Sequence, residues 1–333
     1  MKTQISSWEN FARMKSFHLC GLMALASAAM YAAPPTTGAK FWSTDPNLDC
    51  SAAHALSIQV PLASGGMGVS CLVSGIFVWL AAGGGWSTSI RATAPASGAI
   101  GIDYGFWQDG QRITMDTTSG NGAVPASGNL VSVALNANQP SEIRLLGATS
   151  SAPQYGTTQT GFVYAVFYCP DAATCATLVP QLLYSFAPIK PWSLSVPISW
   201  DFVFSSFQPK GIGTGWSASG ISDATHLISF AICNQSRFAT TFNVRVFDSN
   251  GALVGQATTP SIPVLGTLGL LLTDLIRTPL PTGILKVTVD GGSNLSSVAF
   301  FQFDGDSATS LQVSPELPTG SSSVSAPAVR SKF

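Results

Sequence analysis

From Cys50 onward the chain breaks into short segments rich in Val, Ile, Leu, Phe, Tyr and Thr, each closed by a cluster of Gly, Pro, Asn, Asp or Ser. Runs of that length complete a strand but are too short to bury one face of a helix, and many of them in series read as a β-sandwich or barrel. Strands are expected at 55–60, 76–81, 100–107, 112–117, 130–135, 142–146 and 161–168 in the first half. In the second half they are expected at 193–200, 227–233, 242–247, 253–258, 284–289 and 298–303. Asp109-Gly110 sits between two such runs and supplies the positive φ angles of a primed hairpin turn, and Asp248 to Gly251 joins two others as a hairpin.

Pro180, Pro188, Pro191 and Pro197 interrupt the middle of the chain. Proline cannot donate to a central ladder, so these residues mark a domain junction or an edge segment. A boundary near Ala187 to Pro191 gives two modules, 40–187 and 191–314, followed by a Ser/Pro/Ala-rich tail, 315–333, expected to be disordered. The halves repeat one order of strand, hairpin and strand, visible when 102–117 is set beside 244–259. Residues 265–276 are apolar but broken by Gly266, Gly269 and Asp274, and read as a turn or short capped helix, too short for a membrane span.

Only 9% of residues are charged, against roughly 25% in an average soluble protein. Net charge is −1. No cluster of Lys and Arg exists to neutralise phosphates, which argues against nucleic-acid partners and against polybasic attachment to anionic lipid. Residues 1–33 have the parts of a signal peptide: early charges up to Lys15, an apolar run from Phe17 to Met30, and small residues at Ser27, Ala28, Ala29, Ala32 and Ala33. Cleavage after Ala29 fits the small-x-small rule best, so the protein is expected to be secreted or held in the cell envelope. Loss of Lys2, Arg13 and Lys15 together with Glu9 leaves the mature chain at −3.

An oxidising destination makes the cysteines readable. Cys169 and Cys175 enclose a turn-rich loop, Cys50 and Cys71 flank one expected strand, and Cys233 is left over inside an apolar run. The last is expected to be a small buried side chain rather than a reactive thiol.

Catalytic chemistry finds little purchase. His54 and His226 have no Asp, Glu, Cys or His at motif spacing, and no C-x-x-C, H-x-x-x-H or G-x-S-x-G occurs. Asp109, Asp171, Asp248, Asp290, Asp304 and Asp306 fall in expected turns, where a carboxylate bonds local backbone. The 248–251 and 304–306 stretches hold only fragments of a calcium loop. Gly211 to Gly215 lacks the lysine and helix of a phosphate loop. No enzyme activity, cofactor or metal is therefore expected. Trp86, Trp107 and Trp216 lie beside Gly-rich or hairpin segments and are the candidates for stacking a sugar. Their competing role, which the sandwich pattern favours, is to plug the ends of the cores.

Several stretches, 161–169, 192–200, 243–251, 281–290 and the Ser-Leu-Gln-Val ending at Val313, carry a resemblance. They resemble tandem immunoglobulin-like β-sandwich proteins secreted by environmental bacteria. The likeness covers most of residues 90 to 313 and implies two antiparallel immunoglobulin-like sandwiches. It brings no functional residue with it. The expected function is a non-enzymatic binding or scaffolding protein whose partner is an extracellular protein or glycan. The alternative is a carbohydrate-binding or glycosidase-accessory module using Trp86, Trp107 or Trp216.

The cysteine reading is directly testable. Non-reducing peptide mapping should find Cys50–Cys71, worth roughly 3 to 4 kcal/mol, and Cys169–Cys175, worth roughly 2 to 3 kcal/mol by loop-closure entropy. Cys233 should be alkylated only after unfolding, and a bridge from Cys233 to any of the other four would refute the reading.

Overall fold

The computed structural model describes residues 39–316, apart from 54, 63–64, 83–85, 120–126, 129, 148–158, 187–191, 198, 201–214, 237, 292–295 and 305–306. The expected signal peptide, tail residues 317–333, His54, residues 211–214 and Asp306 lie outside the described residues. Among the described residues strands account for 62% and helix for 6%, so the fold is all-β. Every strand pairing among them is antiparallel, and their strands form four sheets.

Sheet I runs β1 (Leu56–Pro61), β2 (Met67–Ala82), β10 (Gln159–Cys169), β4 (Ile100–Gln108) and β5 (Gln111–Arg112), with β8 (Leu130–Leu135) also on β4 and β13 (Ser199–Trp200) on β2. Sheet II runs β12 (Trp192–Pro197), β11 (Gln181–Phe186), β3 (Trp86–Thr93), β9 (Pro140–Gly147), β6 (Met115–Ser119) and β7 (Ser127–Gly128). Sheet III runs β17 (Leu253–Thr258), β16 (Asn243–Phe247), β19 (Gly283–Asp290), β14 (Gly215–Ser222) and β22 (Ser314–Glu316). Sheet IV runs β18 (Gly266–Leu271), β15 (His226–Asn234), β20 (Ser296–Asp304) and β21 (Ser307–Leu311).

Alternation explains the layers. In β4, Ile100, Ile102, Tyr104 and Phe106 join Ile90, Ile143, Leu145 and Leu182 of sheet II in one core. In β15, Ile228, Phe230 and Ile232 join Val244, Val246, Val287 and Val289 of sheet III in a second. The intervening residues of sheet IV, Ala231, Cys233, Ala299, Phe301 and Ala308, belong instead to the first core cluster. They turn toward sheet I, and the layers stack in the order II, I, IV, III. Small side chains on this face permit close approach: a Cβ placed on Gly269 would lie 2.7 Å from the Trp79 ring of β2.

The Asp109-Gly110 hairpin forms the expected primed turn, with φ of 47° and 81°, and it also docks on the second sheet pair. Gly110 N–H donates to the Leu265 carbonyl at 3.2 Å. Leu265 itself has φ 54°, a conformation disfavoured for a side-chain-bearing residue, and its N–H donates to the Asn234 carbonyl at 2.7 Å. Asn234 is fully buried, and its side-chain amide donates to the carbonyls of Phe238, Ile262 and Pro263 while accepting from Ser236 N–H.

Several expectations change. β12 and β13 lie beyond the expected boundary but pair with β11 and β2; of the two readings of the proline run, the edge segment applies to 192–197. Half of the 265–276 run is strand β18, followed by a short helix, Leu272–Leu275. Trp216, expected in a loop, lies in β14, whose Gly and Ser content hid a strand paired along its whole length with β19. Pro315 and Glu316, expected to open the tail, belong to edge strand β22.

Two glycines with the same φ separate backbone strain from contact. Gly110 and Gly251 both sit at 81°, but an added Cβ at Gly110 would lie 2.8 Å from the Val264 carbonyl oxygen, whereas at Gly251 nothing lies within 4 Å. Gly251→Ala should cost about 1 kcal/mol from φ strain alone. Gly110→Ala should cost at least about 1 kcal/mol more, read from denaturant midpoints. Equal costs would show that the hairpin does not dock.

Candidate functional site

The two disulfides sit at one end of the first core. Cys50 bridges Cys71 and Cys169 bridges Cys175, and Cys71 and Cys169 face each other across β2 and β10. A helix at Ala172–Ala176, capped by the Asp171 carboxylate accepting from Thr174 N–H at 2.7 Å, presents Cys175. Cys233 belongs to neither bridge and is buried between sheets IV and I.

The other face of β4 carries Gly101, Asp103, Gly105 and Trp107. A strap, Ala39–Ser43, crosses it: Ser43 bridges Val69, and the Phe41 ring packs so closely over Gly101 that a Cβ there would lie 3.1 Å from it. Phe41 also meets Tyr168 at 6.2 Å between centroids. Near this strap Asp103 is only 7% exposed. Its carboxylate accepts from the Tyr168 hydroxyl at 2.9 Å and from the Ser132 hydroxyl. Burial pushes the Asp103 carboxyl above its ordinary value, and the two hydroxyl donors offset part of that effect. Burial, then the Asp103 charge, raises Tyr168 in turn. Sequence reasoning passed over Asp103 because it sought carboxylates in turns. The available signal was one Asp in an otherwise apolar strand.

His226 gains a partner that motif spacing concealed. Asp223 closes the β14–β15 turn, its Oδ1 accepting from the N–H groups of Thr225 and His226 at 2.8 Å each, and both carboxylate oxygens lie 2.8 Å from His226 Nδ1. These donors, the Thr225 N–H foremost, hold the Asp223 carboxyl well below the usual range. The pair orients a half-exposed imidazole, which is the supporting half of a general-base arrangement. Among the described residues no group of three His, Cys, Asp or Glu side chains converges to hold a metal ion.

Trp86, Trp107 and Trp216 are distributed over sheets II, I and III, each half-buried against a core. Trp107 stands between two cross-strand neighbours: Phe162 stacks on it at 6.3 Å and 7°, and the Arg112 guanidinium lies 5.4 Å from its centroid. A sugar would have to displace one of these. Trp86 shares the inward face of β3 with buried Thr88, Ile90 and Ala92, and Trp216 that of β14 with Ala218.

The outer face of sheet III offers a different surface. Ile221 and Ile284 are cross-strand partners, and Phe247 faces Leu253 on one side and Lys286 on the other. Ile284 is 60% exposed, Leu253 50% and Ile221 43%. Gln302 of sheet IV clamps Ile221 in place, its side-chain amide accepting from Ile221 N–H and donating to the Ile221 carbonyl, both at 2.7 Å. Farther along this face, Arg245 pairs with Asp290. No protein-family model, curated protein or solved structure matches the chain.

The buried acid makes a signed pH prediction. Burial penalises the ionised form, so its cost is full above the folded-state pKa. As pH falls through that value toward the unfolded value of about 3.9, the folded protein takes up the proton first and the cost is relieved. Asp103→Asn should therefore gain most stability relative to the native protein at pH 7.5, and this advantage should shrink at pH 4.5. Denaturant titration at both values decides it; a difference unchanged with pH would remove Asp103 as the source.

Proposed function

We propose that the chain is exported behind its N-terminal signal, folds as two tandem immunoglobulin-like sandwiches, and acts without catalysis as a secreted or cell-envelope binding and scaffolding protein. The observation that carries the reading is the outer face of sheet III, where the cross-strand pair Ile221 and Ile284 is exposed and Leu253 is exposed on the same face beyond Phe247 and Lys286. Contiguous apolar residues on an outer layer mark a contact surface. Aliphatic side chains favour an extracellular protein over a glycan, because sugars stack on flat aromatic rings. The two disulfides fit an oxidising compartment.

The test is comparative capture from the surface of the native cells. Wild-type protein and an Ile221→Ser/Ile284→Ser variant of equal thermal stability are immobilised side by side. The reading expects a protein retained by the first and lost, at least about tenfold, from the second. Equal retention by both sinks it. Saturable binding on a glycan array, abolished by Trp→Ala at 86, 107 or 216, would replace it with the carbohydrate reading.

A further inference from the structure

We infer that two copies of this chain pair through β17, the outer edge of sheet III. An edge strand presents unpaired N–H and C=O groups, and proteins blunt such edges with charge, proline, shortness or cover. β17 has none of the first three: Leu253-Val-Gly-Gln-Ala-Thr258 is six residues long without charge or proline. Among the described residues, no backbone group outside sheet III hydrogen-bonds to β17. The Ile276 and Leu280 side chains lie against Gly255 on the inward face of the strand, not as ladder partners of its outer edge.

Other edges are blunted. β22 has three residues and contains Pro315, β7 has two, and β12 ends in Pro197. β1 ends in Pro61, and its Ser57 hydroxyl is tied to the Leu48 carbonyl. β18 is also free of charge and proline, but none of its side chains is exposed, and β21 lies against β12. β8 is uncharged too, but its side chains from Val131 to Leu135 are almost wholly buried. In β17, by contrast, Leu253, Gln256 and Thr258 are exposed.

The occupant that fits is a second copy, because the strand is complementary to itself. A two-fold axis perpendicular to the sheet at Gln256 sets that amide opposite its own counterpart and pairs the two strands antiparallel. No like charges meet. The nearest cation, Arg245, is one strand inward and already paired with Asp290, and Lys286 is two strands inward. The product is a ten-stranded sheet from two five-stranded ones, with the Ile221–Ile284 surface repeated at two places on one continuous face. This pairing does not depend on what that surface binds.

Sedimentation equilibrium of the purified full chain tests it. The mass should be that of two copies at micromolar concentration. Gln256→Lys/Thr258→Lys places like charges across the axis, and should give a monomer at concentrations about tenfold above the native midpoint. Gln256→Glu should be monomeric at neutral pH and dimeric again once its carboxylate is protonated, a reversal that misfolding would not produce. Truncation after Glu316 and Ile221→Ser/Ile284→Ser should leave the dimer intact. A native monomer throughout, a dimer that survives Gln256→Lys/Thr258→Lys, or a dimer lost with residues 317–333 would each overturn the proposal.

Discussion

The burial of β2 on both faces is the constraint on which the other layers depend. Along sixteen residues, from Met67 to Ala82, only Val73 and Trp79 are half-exposed beyond Ser70. A strand placed this way needs a layer on each side and a neighbour on each edge. Sheets II and IV supply the layers, and β1, β13 and β10 supply the edges. Sheet IV can lie close because the face it turns to sheet I is built largely from Ala, Cys, Ser and Gly, with Phe301 the large exception, alternating with the large side chains of the second core. Trp79 over Gly269 is the point of closest fit.

Polar groups inside this stack divide into two kinds. Asn234 has both its amide group and its carbonyl oxygen engaged and organises the loops on which the β4–β5 hairpin docks, so its burial costs little and orders much. Asp103 is satisfied by two hydroxyls but remains an acid in a dry setting, where ionisation is opposed by burial. The first kind holds structure at every pH. The second holds its place while burial opposes its charge.

The two outermost faces of the stack differ in chemistry. Sheet II turns outward Arg91, ion-paired with Glu142 at 2.9 Å, and the exposed Arg144 beside it. Charged side chains of this type solvate a face and discourage association. Sheet III turns outward Ile221, Ile284 and Leu253 with one lysine among them and the Arg245–Asp290 pair farther along, and ends in an edge strand free of charge. The proposed recognition surface and the proposed self-pairing edge therefore lie on one side of the molecule.

The sequence by itself determined the all-β class, the Asp109-Gly110 and Asn250-Gly251 hairpins and the cysteine pairing near in chain, because each rests on local chemistry: alternation, left-handed turn residues, and cysteines brought close by few intervening residues. It concealed β14, since Gly-Trp-Ser-Ala-Ser-Gly has little strand propensity apart from Trp216 and is held as a strand by β19 and, at its start, by β22. It also concealed Asp223 as the partner of His226, three residues away, because that contact arises from the turn conformation. Only the tertiary structure decided that 192–200 complete the first sheet pair, that Asp103 is dry, and that Ile221, Ile284 and Leu253 share one exposed face. Each of these depends on which strands, distant in the chain, come to lie side by side, and alternation within a strand says which residues share a face without saying what covers it.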